Sequence, residues 1–137
     1  MSEPARILLA EDDRILRRAG EATLRKKGYS VITAVDGEDA LAKARAHKPD
    51  LILLDVMMPK LQGFEVLSQL KDDPSTRNIP VIMLSNLERE ADIRKAMEAG
   101  ARDYVVKSSV QLDQLTAKIA EVLDGASTRD RVPSAHS

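Results

Sequence analysis

The sequence predicts an α/β fold in which five parallel strands form one doubly wound sheet with helices on both faces. Five short apolar runs alternate with amphipathic segments along the chain. Continuous apolarity is typical of strands that are covered on both faces, as in a parallel sheet. Right-handed crossovers then place a ligand site beyond the carboxyl ends of the strands, where the winding reverses. The predicted strands are Ile7–Ala10, Val31–Val35, Leu51–Leu54, Val81–Leu84 and Tyr104–Val106.

The segments between and after these runs are predicted to be helices. Glycine, which ends helices readily, follows the first, fourth and fifth of them at positions 28, 100 and 125. The expected helices two to five cover about 38–46, from 63 onward, 88–99 and 111–123. On the first helix, Leu16, Ala19, Thr23 and Lys26 line one side, and Arg14, Arg17, Arg18 and Arg25 line the opposite side, which we interpret as a solvated face.

Length and composition limit the class of protein. The 137 residues suffice for one domain, which we place at 1–124, and residues 125–137 are expected to be a flexible tail or a truncated linker. A net charge of −1, from 21 basic and 22 acidic residues, disfavours nucleic-acid binding by this chain. Because the chain has no cysteine, any metal would be held by oxygen atoms.

The chain carries no recognisable targeting or membrane signal. Met1–Pro4 lacks the apolar region of a signal peptide, and no stretch approaches the roughly 20 apolar residues that span a bilayer. We therefore expect a cytoplasmic protein that does not contact a membrane.

Carboxylates follow two of the predicted strands. Glu11 and Asp12 come directly after the first strand, and Asp55 comes directly after the third. If these strands are neighbours, repulsion between the carboxylates favours protonation or the binding of a cation. Mg²⁺ suits such a site, since it takes one or two carboxylates and completes its shell with water and phosphate oxygens.

Two further strand ends carry groups that bind phosphate. Ser85 follows the fourth strand and Lys107 the fifth. A carboxylate such as Asp55 can attack phosphorus to form an aspartyl phosphate, while a metal ion, an ammonium and a hydroxyl contact the oxygens of the transferring group. Taken singly, Asp12 or Asp13 could be a helix N-cap and Ser85 a turn residue. The complementary set at four strand ends favours phosphoryl transfer.

Four segments resemble the receiver domain of two-component response regulators, the CheY-like family, over about Arg6 to Leu123. They are ILLAEDD at 7–13, LILLDVMMP at 51–59, PVIMLS at 80–85 and GARDYVVK at 100–107. The resemblance implies a flavodoxin-like sheet with strand order 2-1-3-4-5. It also implies that Asp55 receives phosphate from a phosphohistidine on a sensor histidine kinase or a phosphotransfer protein, as in a phosphorelay.

The resemblance further implies roles for the other site residues. Mg²⁺ would be held by Glu11, Asp12, Asp55 and the backbone carbonyl of Met57, and Ser85 and Lys107 would bind the phosphoryl oxygens. Ser85 and Tyr104 would then switch the face formed by the fourth helix, the fifth strand and the fifth helix. That face would bind either a separate output protein or a fused output domain that is not part of the given sequence. Catalysis would be limited to the chain's own phosphotransfer and dephosphorylation.

Several positions depart from the family pattern. Ser108 stands where a proline, often cis, is usual, so we expect a trans peptide and an altered loop before the fifth helix. Asn86 replaces a small residue and would either hinder access to the phosphate or add a hydrogen bond. Met57 and Leu87 are apolar where polar groups orient a hydrolytic water, which predicts slow self-dephosphorylation. Arg102 replaces an acidic residue and disfavours dimerisation through the switch face.

Three alternative functions share part of this pattern. A haloacid dehalogenase-type phosphatase also uses an aspartate nucleophile with Mg²⁺, but it needs a second acid where this chain has Met57. A flavodoxin-like nucleotide binder would avoid the acidic first turn found here, which repels phosphate. A non-phosphorylated pseudo-receiver that acts only as an interaction module would not need Asp55, Ser85 and Lys107 together.

Overall fold

The computed structural model describes residues 4–56, 62–85, 90–107 and 112–131, in which five strands alternate with five helices. Each strand agrees with the predicted one to within one residue at either end. The elements are β1 (Arg6–Ala10), α1 (Arg14–Lys26), β2 (Ser30–Ala34), α2 (Gly37–His47), β3 (Leu51–Asp55), α3 (Gly63–Asp72), β4 (Val81–Ser85), α4 (Glu90–Glu98), β5 (Asp103–Val106) and α5 (Leu112–Arg131).

The strands form one parallel sheet in the order β2-β1-β3-β4-β5. This order confirms the predicted doubly wound, flavodoxin-like topology. The winding reverses at β1, because β2 pairs with one edge of that strand and β3 with the other. The register aligns Ala10 with Leu54, Asp55 with Leu84, and Ser85 with Val106, so the carboxyl ends of β1, β3, β4 and β5 share one edge of the sheet.

Two apolar cores, one on each face of the sheet, explain the continuous apolarity of the strands. Successive strand residues point to opposite faces, so Leu8 and Ile52 enter one core while Ile7 and Leu53 enter the other. Helices α2, α3 and α4 contribute to the first core, and α1 and α5 to the second. The helix residues that are buried there are Ala40, Leu41, Ala44, Val66, Leu67, Leu70 and Ala96 in the first, and Leu24, Ile119 and Val122 in the second.

The face of α1 that packs on the sheet differs from the predicted face. Leu16 is 50% exposed, whereas Leu24 is 2% exposed. Gly20, one turn before Leu24, lies so close to the sheet that an added Cβ would be 2.9 Å from Cδ2 of Leu9. At this point α1 packs closely on β1, with the side that carries Leu24 toward the sheet.

Most helix ends follow the predicted signals. Asp13 caps α1 and Asp36 caps α2, each by accepting hydrogen bonds from amides of the first helical turn. Gly28 and Gly100 follow α1 and α4 with φ angles of 98° and 107°, a left-handed conformation that favours glycine.

The end of α5 is a correction. The helix continues through Gly125 to Arg131, so the predicted end near Leu123 is wrong. A glycine inside a helix costs only about 1 kcal/mol relative to alanine, so it need not end the helix. The division into a domain at 1–124 and a flexible tail at 125–137 stays a prediction. In the described ranges, neither α5 nor any other helix is long and apolar enough to cross a membrane.

Candidate functional site

Four predicted site residues lie at the shared carboxyl edge of the sheet. Glu11 directly follows β1, Asp55 ends β3, Ser85 ends β4 and Lys107 directly follows β5. Glu11, Asp55 and Ser85 are only 4%, 5% and 0% exposed. The backbone N–H of Lys107 donates to the carbonyl of Ser85 at 2.8 Å, which ties the two adjacent strand ends together. Buried polar groups need hydrogen-bond partners, and here polar groups at neighbouring strand ends bond to one another.

The ammonium group of Lys107 is the cationic partner of two buried carboxylates. Its Nζ donates to Oε1 of Glu11 at 2.5 Å and to Oδ2 of Asp55 at 3.1 Å. Burial by itself would lower the pKa of Lys107, but the hydrogen bond to Glu11 and the negative charges of both carboxylates raise that pKa above its usual value. Lys107 therefore carries its charge throughout the physiological pH range.

Glu11, Asp12 and Asp55 form a cluster of carboxylate oxygens. One oxygen from each residue lies within 4.8 Å of the others, with Asp12 on the exposed side. Burial raises the pKa of Glu11, and neighbouring Asp55 raises it further, against the lowering effect of the hydrogen bond from Lys107. Opposite ligands of an octahedral Mg²⁺ lie about 4.2 Å apart, because each bond is about 2.1 Å long. The three oxygens could therefore bind one hard divalent cation after they move closer by a few tenths of an ångström.

Asp13 has a different role from its acidic neighbours. Its Oδ1 accepts hydrogen bonds from the backbone N–H groups of Ile15 and Leu16, at 2.9 and 3.0 Å. Its own N–H donates to Oε2 of Glu11 at 3.1 Å. These contacts confirm that Asp13 is a helix cap, and they also orient the Glu11 carboxylate toward the site.

Arg17 contacts the site, although the sequence placed it on a solvated face. Its half-buried side chain donates from Nη1 to the backbone carbonyls of Glu11 and Asp12, at 2.9 and 3.2 Å. The signal that could have indicated this contact is the position of Arg17 one turn into the helix that follows the acidic residues. From there a long side chain can reach back to the connection.

Gly63 brings the start of α3 against the backbone that carries Asp55. The Gly63 N–H donates to the carbonyl of Val56 at 2.9 Å. An added Cβ would lie 2.5 Å from the backbone oxygen of Asp55 and 2.7 Å from Cα of Val56. Only glycine permits this approach, so α3 helps to fix the position of Asp55.

Tyr104 lies in β5, beside the strand that ends in Ser85. It is half-buried and packs against the core on the side of α2, α3 and α4. Its backbone N–H donates to Oδ1 of Asp103 at 2.7 Å. Asp103 also forms an ion pair with Lys118 of α5, with Nζ and Oδ2 separated by 2.7 Å. Tyr104 thus lies on the side of β5 that faces the core of α2, α3 and α4, while its neighbour Asp103 links β5 to α5.

Some predicted features lie outside the described residues. These are the Met57 carbonyl as a metal ligand, the effects of Asn86 and Leu87, and the trans peptide expected at Ser108.

Comparisons with known proteins agree with this geometry. The family model described as response regulator receiver domain matches residues 7–120. The response regulator PleD of Caulobacter vibrioides is 48% identical over 103 residues, which make up 75% of this chain and 23% of that protein. The transcriptional regulatory protein AfsQ1 of Streptomyces coelicolor is 44% identical over 117 residues, which make up 85% of this chain and 50% of that protein. The chain thus spans half or less of each of these relatives.

A solved structure of similar fold supports the same assignment. The crystal structure of a CheY-like receiver domain protein from Methanospirillum hungatei JF-1 has a TM-score of 0.86 to this chain and is 27% identical to it. The match covers 93% of this chain and 99% of that one. Together with the family match over most of the sequence, these findings show that the chain belongs to the response regulator receiver domain family.

Proposed function

We propose that this chain is the phosphoacceptor of a two-component system or phosphorelay, and that Asp55 is the residue that takes the phosphate. Receiver domains interact with histidine kinases or phosphotransfer proteins, and we propose that a phosphohistidine on such a protein is the donor. The observation that carries this proposal is the contact of Oδ2 of Asp55 with Nζ of Lys107 at 3.1 Å. The contact supports the proposal because it holds a buried carboxylate at the end of β3 beside a lysine ammonium.

In the proposed transfer, a carboxylate oxygen of Asp55 attacks phosphorus. The bond between phosphorus and the imidazole nitrogen breaks, and its electron pair returns to the imidazole. Lys107 stays charged and contacts an oxygen of the phosphoryl group, while the hydroxyl of Ser85 donates to another. The chain's own chemistry ends with this transfer and with later hydrolysis of the aspartyl phosphate.

Receiver domains bind Mg²⁺ at an acidic pocket. In this chain Glu11, Asp12 and Asp55 would hold the ion, together with the backbone carbonyl of Met57. When bound, Mg²⁺ neutralises negative charge on the transferring group. Three carboxylate oxygens that lie within 4.8 Å of one another support this assignment, and so does a sequence without cysteine.

Phosphorylation would act on the face formed by α4, β5 and α5. The new charge and its acceptor oxygens favour a packing in which Ser85 bonds to the phosphate and Tyr104 moves. An output partner responds only if it binds the two packings with different affinity. We propose that this partner is either a separate protein or a fused output domain.

Intact mass spectrometry tests the assignment of Asp55. After incubation with acetyl phosphate and Mg²⁺, the native chain should gain one phosphoryl group and Asp55→Asn none. Asp50→Asn is a matched control, because Asp50 precedes β3, at the amino end of the strand, and accepts a hydrogen bond from the N–H of Arg6. This variant should gain one phosphoryl group like the native chain. Labelling that persists in Asp55→Asn contradicts the assignment of Asp55. A native chain that gains no phosphoryl group would favour the alternative of a non-phosphorylated pseudo-receiver that acts only as an interaction module.

A further inference from the structure

We infer that Arg17 is a positioning residue for the metal site, because it fixes the backbone that carries Asp12. Nη1 of Arg17 donates to the carbonyl oxygens of both Glu11 and Asp12. These two residues supply two of the three carboxylates in the oxygen cluster. The inference rests on the proposed Mg²⁺ site and adds to it a residue that touches neither the metal nor the phosphate.

The connection between β1 and α1 is short, and hydrogen bonds hold it at several points. The N–H of Glu11 donates to the carbonyl of Ala34, and the carboxylate of Asp13 caps the helix. Asp12, between these anchored residues, has its side chain toward solvent. The contact with Arg17 fixes the orientation of the Asp12 carbonyl. The hydrogen bond therefore restricts the ψ angle of Asp12, which sets the direction of the Asp12 side chain relative to this carbonyl.

The positive charge of Arg17 acts in the opposite direction. A cation near the site repels Mg²⁺, so removal of Arg17 would strengthen metal binding if this repulsion dominated. If positioning dominates, removal weakens metal binding, because the carboxylates must be ordered when the ion binds. The direction of the change in affinity thus decides between the two effects. The exposed side chain of Arg18, the next residue of α1, provides a control that removes the same charge.

Isothermal titration calorimetry of Mg²⁺ with the whole chain measures this change. We expect Arg17→Ala to weaken binding about tenfold, which corresponds to the loss of hydrogen bonds from a charged donor. Arg17→Lys should recover part of the affinity, since lysine keeps the charge but not the planar fork of donors. Arg18→Ala should bind Mg²⁺ as tightly as the native chain or slightly more tightly. At saturating Mg²⁺, Arg17→Ala should label with acetyl phosphate at close to the native maximal rate.

Thermal unfolding in EDTA separates positioning from general stability. If Arg17→Ala does not fold, Arg17→Lys and Arg17→Gln provide the same comparison. Mg²⁺ affinity in the folded variants equal to or higher than the native affinity would overturn the inference while leaving the metal site intact. A native chain that binds no Mg²⁺ would remove the metal site and the inference together.

Discussion

Nζ of Lys107 lies 2.5 Å from Oε1 of Glu11, although the two residues are 96 positions apart in the sequence. The contact extends from the end of the edge strand β5, past the ends of β4 and β3, to the end of β1. Glu11 and Asp55 have side chains that are only 5% and 7% exposed, against 20% for Lys107. One lysine is therefore the cationic partner of two nearly buried carboxylates, and it neutralises only part of their negative charge.

Lys107→Met should destabilise the metal-free protein by about 3 kcal/mol, because it leaves buried carboxylates without their cation. Added Mg²⁺ should recover part of this loss, since the ion supplies the missing positive charge. Urea unfolding in EDTA and in Mg²⁺ measures both effects. Lys118→Met is the control, because Lys118 forms an ion pair with Asp103 in which the two side chains are 40% and 33% exposed. The loss of this exposed pair should lower the free energy of unfolding by less than about 1 kcal/mol, and the change should not depend on Mg²⁺. Equal stability of Lys107→Met and the native chain in EDTA would contradict this account.

Gly63→Ala should destabilise the protein by about 1 to 3 kcal/mol and slow the labelling of Asp55. The new methyl group would meet backbone atoms of Asp55 and Val56, which cannot move without shifting β3 or α3. Gly20→Ala is the matched control, because its methyl group would meet only the end of the flexible Leu9 side chain. We expect that control to be neutral or to stabilise α1 by up to about 1 kcal/mol. Thermal unfolding and initial labelling rates distinguish the two variants.

Lys71→Met should cost about 1 to 2 kcal/mol, because Nζ of Lys71 donates to the carbonyls of Arg77 and Ile79 at 3.0 and 2.9 Å. The difference in the free energy of unfolding between Lys71→Met and the native chain should vary with pH. Burial, and then the charge of Arg102, lowers the pKa of Lys71 below its usual 10.5. The unfolded chain thus binds this proton more tightly, so native stability rises with pH up to about 10.5.

This pH-dependent rise should be absent from Lys71→Met. Urea unfolding of both proteins across the alkaline range gives the comparison. Lys26→Met, at an exposed lysine of α1, controls for the loss of one positive charge. Parallel pH profiles of the native chain and Lys71→Met would exclude the proposed effect of burial.

If the proposed switch is correct, Ser85→Ala should still accept phosphate at Asp55 but lose the proposed change at Tyr104. The hydroxyl of Ser85 is fully buried at the end of β4, beside the strand that carries Tyr104. Amide chemical shifts of β5 and α4, recorded with and without acetyl phosphate, measure this response. Ser85→Thr keeps the hydroxyl and should retain the shifts. A full response in Ser85→Ala would show that the switch does not depend on this hydroxyl.

The strands and the site residues at their ends were predictable because both depend on local sequence patterns. A continuous apolar run identifies a buried strand, and the polar residue that follows it must lie at the sheet edge. The buried face of α1 was not predictable, because it depends on the close approach of Gly20 to Leu9. The contact of Arg17 with two carbonyls was missed because the helical pattern places Arg17 among exposed arginines and does not show that its long side chain reaches back to Glu11 and Asp12. The end of α5 was missed because Gly125 adopts a helical conformation.

The spacing of the site residues along the chain also has a consequence for biosynthesis. Glu11 directly follows the first strand of this domain, whereas Lys107 directly follows β5, and their contact joins residues that are 96 positions apart. A contact between such distant residues has an entropic cost, because it closes a long loop of chain. A nascent protein that ends before β5 contains Glu11, Asp55 and Ser85 but no Lys107. The complete set of site residues therefore exists only in the finished fold.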